Sequence, residues 1–268
     1  MNSFKHYLTI KFIPLLSILF LFSCNSSEGK LPKKIDKNKY SNEKIDSQFV
    51  DHQNITPQPI KAKTKPDTLE MAIINAGLVD IQSLDTTILV SLKYATTDNF
   101  MQKNVYGSLK KAYLQKEVAE SLVIAQNYLK SIDSSLTLFI YDAVRPRSVQ
   151  QYMWDYLEMP IAKKVKFVSN PKNGSIHNYG SAVDLTIASI NGEALDMGAK
   201  YDEIEQIAYP RLEKQFLASG KLTTTQVENR KLLRKVMKHA NFTGISTEWW
   251  HFNRYSRTVA KSKYKIIE

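Results

Sequence analysis

Residues 175–187 read SIHNYGSAVDLTI, and the local pattern changes midway through them. Gly180 permits a tight turn, because a residue without Cβ enters left-handed backbone conformations at little cost. After it, residues 182–187 alternate and are rich in β-branched side chains, which predicts a strand. Its two faces carry Val183, Leu185 and Ile187 on one side and Ala182, Asp184 and Thr186 on the other. A carboxylate inside so apolar a strand is costly to desolvate unless it is paired or ligated. The turn therefore brings His177 towards Asp184, either as two metal ligands or as a buried His–Asp hydrogen bond, and this segment alone leaves both readings open.

Outward from that strand, residues 87–94 (TILVSLKY) and 136–142 (LTLFIYD) read as strands, and residues 248–253 (EWWHFN) as a last one. Residues 114–132 place Val118, Leu122, Ala125 and Leu129 at helical spacing. Residues 225–240 carry Leu232, Leu233, Val236 and Met237 on one stripe, behind threonines able to cap the helix. Helices and short strands without regular βαβ alternation predict an α+β fold. There is no internal repeat.

The chain has 268 residues, 43% hydrophobic and 24% charged, with 9 Gly and 9 Pro, which excludes collagen-like, wholly disordered and polytopic membrane classes. Its single cysteine makes neither an intramolecular disulfide nor a thiolate zinc cluster, so any metal must be held by His, Asp or Glu. The formal charge of +11 comes from 37 basic and 26 acidic residues, and the basic ones are scattered rather than gathered into an arm or stripe. That pattern argues against nucleic acid. It fits weak attraction to anionic headgroups or cell-wall polymers, or a solvated surface with no partner, and no protein partner is expected.

The first 24 residues, MNSFKHYLTIKFIPLLSILFLFSC, set Lys5 and Lys11 ahead of an apolar run at 12–22 that is short for a membrane span and reads as a secretory signal. Leu21-Phe22-Ser23-Cys24 resembles the bacterial lipobox, in which the cysteine becomes the acylated N-terminus. An ordinary signal peptide that contains a cysteine is the alternative. The expected arrangement is a lipoprotein signal at 1–23, a disordered tether at 24–68 and a catalytic domain at 69–268. The tether is rich in Lys, Asn, Ser, Asp, Gln and Pro, with Tyr40 and Phe49 as its aromatics, too little apolar surface to offset its ordering entropy. As a flexible coil it would hold the domain about 40 Å from its anchor. The implied location is the cell envelope, with a membrane-anchored lipoprotein facing the periplasm or the exterior.

With His6 in the signal and His52 in the tether, His177, His239 and His251 remain for the domain. His239 follows an amphipathic helix and suits its C-terminus. Glu248-Trp249-Trp250-His251 puts a carboxylate three residues before a histidine, between them two indoles able to exclude water. In a regular strand residues 248 and 251 face opposite sides, so a shared site requires a bulge or bend; otherwise His251 is a hydrogen-bonded core histidine. At the end of another strand, Tyr141-Asp142-Ala143-Val144-Arg145-Pro146 presents Arg145 in the extended geometry that the following proline imposes, as a fixed cation or as a solvent-facing one.

Taken together these segments resemble the VanX-type D-Ala-D-Ala dipeptidases, zinc peptidases related to the D-Ala-D-Ala carboxypeptidases and hedgehog-type domains. The family's S-x-H-x-x-G-x-A-x-D signature is matched by Ser175, His177, Gly180, Ala182 and Asp184, its E-W-W-H ending by Glu248 to His251, and its D-x-x-R-P context by Asp142, Arg145 and Pro146. Residues 197–202 (MGAKYD) and 94–100 (YATTDNF) look like its Met-Gly-x-x-aromatic-Asp and N-terminal pocket segments. The resemblance implies a small central antiparallel sheet flanked by helices. It implies one zinc per chain held by His177, Asp184 and His251, Glu248 as general base, and Arg145 stabilising the oxyanion. It also implies a small D,D-dipeptide substrate, with Asp202 pairing with its free ammonium and Ser175 and Tyr94 lining the pocket. Asp202 reads equally as a helix N-cap ahead of residues 203–216. The rival functions are a D,D- or L,D-carboxypeptidase acting on peptidoglycan stem peptides, and a non-catalytic cell-wall-binding lipoprotein.

Overall fold

The structure, a computed structural model, describes residues 68–165 and 167–268; the signal, the tether and the lipidation residue Cys24 lie outside the described residues. The chain runs α1 (Thr68–Asn75), β1 (Val79–Asp80), β2 (Leu89–Val90), β3 (Tyr113–Leu114), α2 (Lys116–Ile132), β4 (Leu136–Asp142), α3 (Arg147–Tyr156), α4 (Ile161–Lys164) and β5 (Ala182–Ser189). It continues through α5 (Glu213–Ala218), α6 (Thr224–His239), β6 (Thr243–Gly244), β7 (His251–Asn253) and α7 (Arg257–Lys263). Five strands form one sheet in the order β2-β4-β5-β7-β6, and β1 and β3 form a separate antiparallel pair. The fold is α+β, as the sequence predicts. None of the described helices is long and apolar enough to cross a membrane.

Helix α2 forms because Val118, Leu122, Ala125 and Leu129 share one face, and all four are buried where α2 packs on α6 and β4. Helix α6 begins where Thr223 Oγ1 accepts from Gln226 N while the Gln226 side chain accepts from Thr223 N, which satisfies two otherwise orphaned donors. His239 closes α6 and stacks on Tyr128, with ring centroids 3.8 Å apart. The expectation of a helix C-terminus is met.

Two predicted strands are shorter than expected. The segment at 87–94 pairs only over Leu89–Val90, and in parallel with β4, so the sheet is mixed rather than wholly antiparallel. Beyond it, Asn99 Nδ2 donates to the carbonyls of Lys93, Thr96 and Lys103, and this local alternative to a ladder curls the chain into a 3₁₀ turn at Lys93–Ala95. Tyr94 is thereby turned inward and buried. At the other end, the ladder of β7 starts at His251, so residues 248–250 are not part of the strand. The alternation that would have sent Glu248 and His251 to opposite faces does not apply, and no bulge is needed.

The segment at 195–210 has little regular structure and is tied down by α6. Buried Arg230 donates from Nε to Met197 O (2.6 Å) and from Nη2 to Ile207 O (3.0 Å), and so clasps both ends of the stretch that carries Tyr201 and Asp202. Gly198, at φ +72°, leaves room there: a Cβ would lie 2.4 Å from Leu222 Cδ2. No helix spans 203–216, where 3₁₀ turns precede the short α5.

Candidate active site

Three neighbouring strands line up the polar row on which the site is built. Asp184 in β5 is the cross-strand partner of Asp142 in β4 and of His251 in β7. The register between β4 and β5 shifts between Ile140 and Asp142, an irregularity that sets the two aspartates opposite each other. His177 joins the row from a 3₁₀ turn, Ile176–Tyr179, that Gly180 ends in left-handed geometry at φ +62°. A Cβ at Gly180 would meet Leu78 Cδ2 at 2.8 Å, so the close approach of turn and β1 entry requires glycine. Asn178 anchors the same turn, its Nδ2 donating to Arg145 O (2.7 Å) and Gln150 Oε1 (3.0 Å) while its Oδ1 accepts from Ser175 N.

The result is a convergence of three atoms. His177 Nε2 lies 3.1 Å from His251 Nδ1 and 3.3 Å from Asp184 Oδ1, and the last two are 2.9 Å apart. Tetrahedral zinc with ligand bonds of about 2.0–2.1 Å has ligand–ligand edges of about 3.3–3.4 Å. The triangle therefore fits zinc with a slight expansion. The remaining nitrogens agree: His177 Nδ1 is 2.7 Å from Ala143 O, and His251 Nε2 is 2.9 Å from Asn253 Oδ1. With a proton on each of those outer nitrogens, two lone pairs and a carboxylate oxygen face one point, a donor set that demands a cation. Among the described residues, these three form the group of histidine and carboxylate side chains that could hold a metal ion.

A cavity of about 370 Å³ opens over this triangle and reaches Tyr94, Ser175, Asp202 and Glu248. That is at the small end of ligand sites. Glu248 Oε2 stands 4.0 Å from His251 Nδ1, with the side chain about one-third exposed at the cavity. Arg145 is buried; its Nε and Nη2 both donate to Asp142 Oδ2 (3.0 and 2.5 Å), its Nη2 is 3.8 Å from Asp184 Oδ2, and its guanidinium lies over the Tyr94 ring. It is therefore not solvent-facing. Asp202 has φ +60°; its Oδ1 accepts from Tyr94 OH (3.1 Å) and its Oδ2 is buried without a partner. Since no helix starts behind it, the N-cap reading of Asp202 is set aside. Ser175 Oγ is likewise buried without a partner.

Comparison with known proteins decides the family. The M15 peptidase profile, described as D-Ala-D-Ala dipeptidase, matches residues 74–267. The chain belongs to that family. The D-alanyl-D-alanine dipeptidase of Escherichia coli (strain K12) is 35% identical over 179 residues, covering 65% of this chain and 83% of the relative. That of Enterococcus faecium is 27% identical over 178 residues, covering 60% and 82%. Among solved structures, a VanY D,D-pentapeptidase with Zn(II) aligns at 15% identity and TM-score 0.32, over 56% of this chain and 78% of that one.

This M15 family member also uses groups that its sequence did not single out. Tyr201 OH donates to Asp184 Oδ2 (3.1 Å), Asn253 orients His251, and Tyr106 OH donates to Asp142 Oδ1 (2.6 Å). Asn253 stands two residues after His251, on the same side of one strand, and that spacing was the available signal. Tyr201 had a signal as the aromatic of the Met-Gly-x-x-aromatic-Asp segment at 197–202, whereas Tyr106 reaches Asp142 across 36 residues with no motif to mark it.

The electrostatics follow from burial around opposed charges. Burial raises the Asp202 carboxyl to about 8, against the nearby Arg145 and the hydrogen bond from Tyr94. Burial likewise raises Glu248, partly opposed by His251. Burial opposes a charge on His251, yet the hydrogen bond and charge of Asp184 carry it up to about 9, while burial of Asp184 is outweighed by the two histidines, which hold it well below the usual carboxylate range. The Tyr94 and Tyr201 hydroxyls are pushed up by burial and by Asp202, so both stay donors. In the metal-free protein a proton on His251 thus stands in for the cation.

Its folded value exceeds the unfolded value of 6.5, so this stabilisation is complete below pH 6.5 and lost as pH rises through about 9. Asp202, raised from 3.8 to about 8, acts in the same direction at lower pH. Metal-free protein should lose about 3 kcal/mol from His251 between pH 6.5 and 9, read as a falling denaturation midpoint in chelator, and zinc should flatten that slope.

Proposed function

We propose that the chain hydrolyses the free dipeptide D-Ala-D-Ala to two alanines, with one zinc held by His177, Asp184 and His251. The observation that carries this reading is the near-tetrahedral triangle of ligand atoms with a carboxylate, Glu248, beside it at the mouth of a small cavity. When bound, zinc supplies Lewis acidity that lowers the pKa of a coordinated water from about 15.7 towards about 7. Glu248 takes the proton of the attacking water on a carboxylate oxygen and returns it to the leaving amine, a role that its upward shift by burial suits. Arg145, locked by Asp142, meets the negative charge that develops on the peptide oxygen; loss of one such donor costs about 3–4 kcal/mol of transition-state stabilisation. Asp202 receives the substrate ammonium on its unpartnered Oδ2, and Ser175 and Tyr94 line the pocket.

Glu248→Gln should lower kcat by at least about 100-fold while elemental analysis still finds about one zinc per chain. Loss of zinc along with activity would make Glu248 a ligand instead. A His177→Ala/His251→Ala double variant should lose the metal, and tight stoichiometric zinc in it would overturn the ligand set.

Substrate length separates the dipeptidase from a D,D- or L,D-carboxypeptidase. A charge-assisted hydrogen bond from the ammonium to Asp202 contributes about 1.5–3 kcal/mol, so D-Ala-D-Ala should exceed its N-acetyl derivative by about tenfold to a hundredfold in kcat/KM. Asp202→Ala should narrow that preference by slowing the dipeptide. Equal cleavage of both by the wild type would favour the carboxypeptidase.

We propose in addition that acylated Cys24 anchors the protein in the cell envelope, on the strength of its position after the apolar run at 12–22. Detergent-phase partitioning checks this: the full chain should enter the detergent phase and Cys24→Ser should not.

A further inference from the structure

We infer that Arg257 recognises the free carboxylate of the dipeptide and so makes the enzyme demand an unblocked C-terminus, an inference that rests on the dipeptidase reading above. A zwitterionic dipeptide brings one ammonium and one carboxylate into a cavity whose wall carries Asp184, Asp202, Glu203 and Glu248. The carboxylate needs a cation. Among the described residues lining the cavity, Arg145 and Arg257 are the only arginines or lysines.

Arg145 is committed elsewhere. Two of its donors go to Asp142 and its charge is shared with Asp184, on the side of the cavity that holds Tyr94 and Asp202. Arg257 differs in both respects. Among the described residues no carboxylate forms an ion pair with it, and its Nη1 donates to the carbonyls of Asn173 (3.0 Å) and Gly174. Those carbonyls belong to the two residues before Ser175, which is buried and lines the same cavity. The guanidinium is therefore pinned at one nitrogen at the wall of the cavity, with Nε and Nη2 left to grip a carboxylate in its fork geometry.

The mounting is rigid enough for such a role. Arg257 is the first residue of α7, which Ser256 caps through its Oγ and Val259 N. Ala260 of that helix is buried, and the hydroxyls of Tyr255 and Tyr264 on either side of the helix both donate to Glu117. A cation fixed before the ligand arrives loses little freedom on binding.

The experiment compares D-Ala-D-Ala with its C-terminal amide, which keeps the ammonium and the scissile bond and lacks the negative charge. The wild type should prefer the free acid by at least about tenfold in kcat/KM. Arg257→Ala should slow the acid by about the same factor, chiefly through KM, and change the amide by less than about threefold. Arg257→Gln, which keeps an N–H donor for the two carbonyls, provides the same readout should the alanine variant fail to fold. An equal loss on acid and amide would reduce Arg257 to a prop for residues 173–174, and no loss on either would remove it from the site; both outcomes overturn the inference. A wild type that cleaves neither compound overturns the dipeptidase reading itself, and the inference with it.

Discussion

The carboxylate of Asp184 is buried in the central strand of the sheet, and the surrounding structure exists to make that tolerable. An ionised group taken out of water costs several kcal/mol even after relaxation, and the cost falls only when charges and donors are fixed around it. Here they arrive from every direction: His251 across the ladder from β7, His177 from the turn before the strand, Tyr201 from the 195–210 segment and Arg145 from the end of β4. Asp142 sharpens the constraint. Two aspartates directly opposite each other in a ladder repel, and Arg145 resolves this by lying against one and near the other.

From that constraint the division of the fold follows. Val183, Leu185 and Ile187 hold β5 to the apolar core, while Asp184 on the alternate face meets the polar row. The sheet thus supplies rigidity to the site rather than merely lying beneath it. Because ligand, orienting and lining groups come from strands and from loops clasped at both ends, as Arg230 clasps 197 and 207, small shifts in any one are resisted by several others.

What was legible in the sequence was whatever local periodicity or close spacing could carry. The strand at 136–142, the helices around 116–132 and 224–239, and the turn that joins His177 to Asp184 all rest on neighbours within a few residues. The failures are equally physical. At 87–94 the β-branched run predicts a full strand, but Asn99 takes the Lys93 carbonyl at its end; at 248–250 the apolar run predicts a strand where the two indoles pack in the core ahead of the ladder. Local periodicity cannot join Tyr94 to Asp202 across 108 residues or Tyr201 to Asp184; only the resemblance to the family set Tyr94 and Asp202 in one pocket, and the two hydrogen bonds themselves come from the structure.

The geometry also ties stability to metal. Each imidazole is oriented through the nitrogen that faces away from the triangle, His177 by a backbone carbonyl and His251 by a side-chain amide oxygen. Both partners only accept, so each holds the outer proton in place and leaves the inner nitrogen bare. Without a cation, two lone pairs and an anionic oxygen are held about 3 Å apart, two of them by paired strands and the third by the turn before β5. The fold therefore carries an electrostatic cost at its centre that a proton on His251 relieves below about pH 9 and that a divalent ion relieves where the ligands are deprotonated. Metal that binds only the folded chain is then coupled to folding, and the same buried aspartate that organises the sheet sets the strength of that coupling.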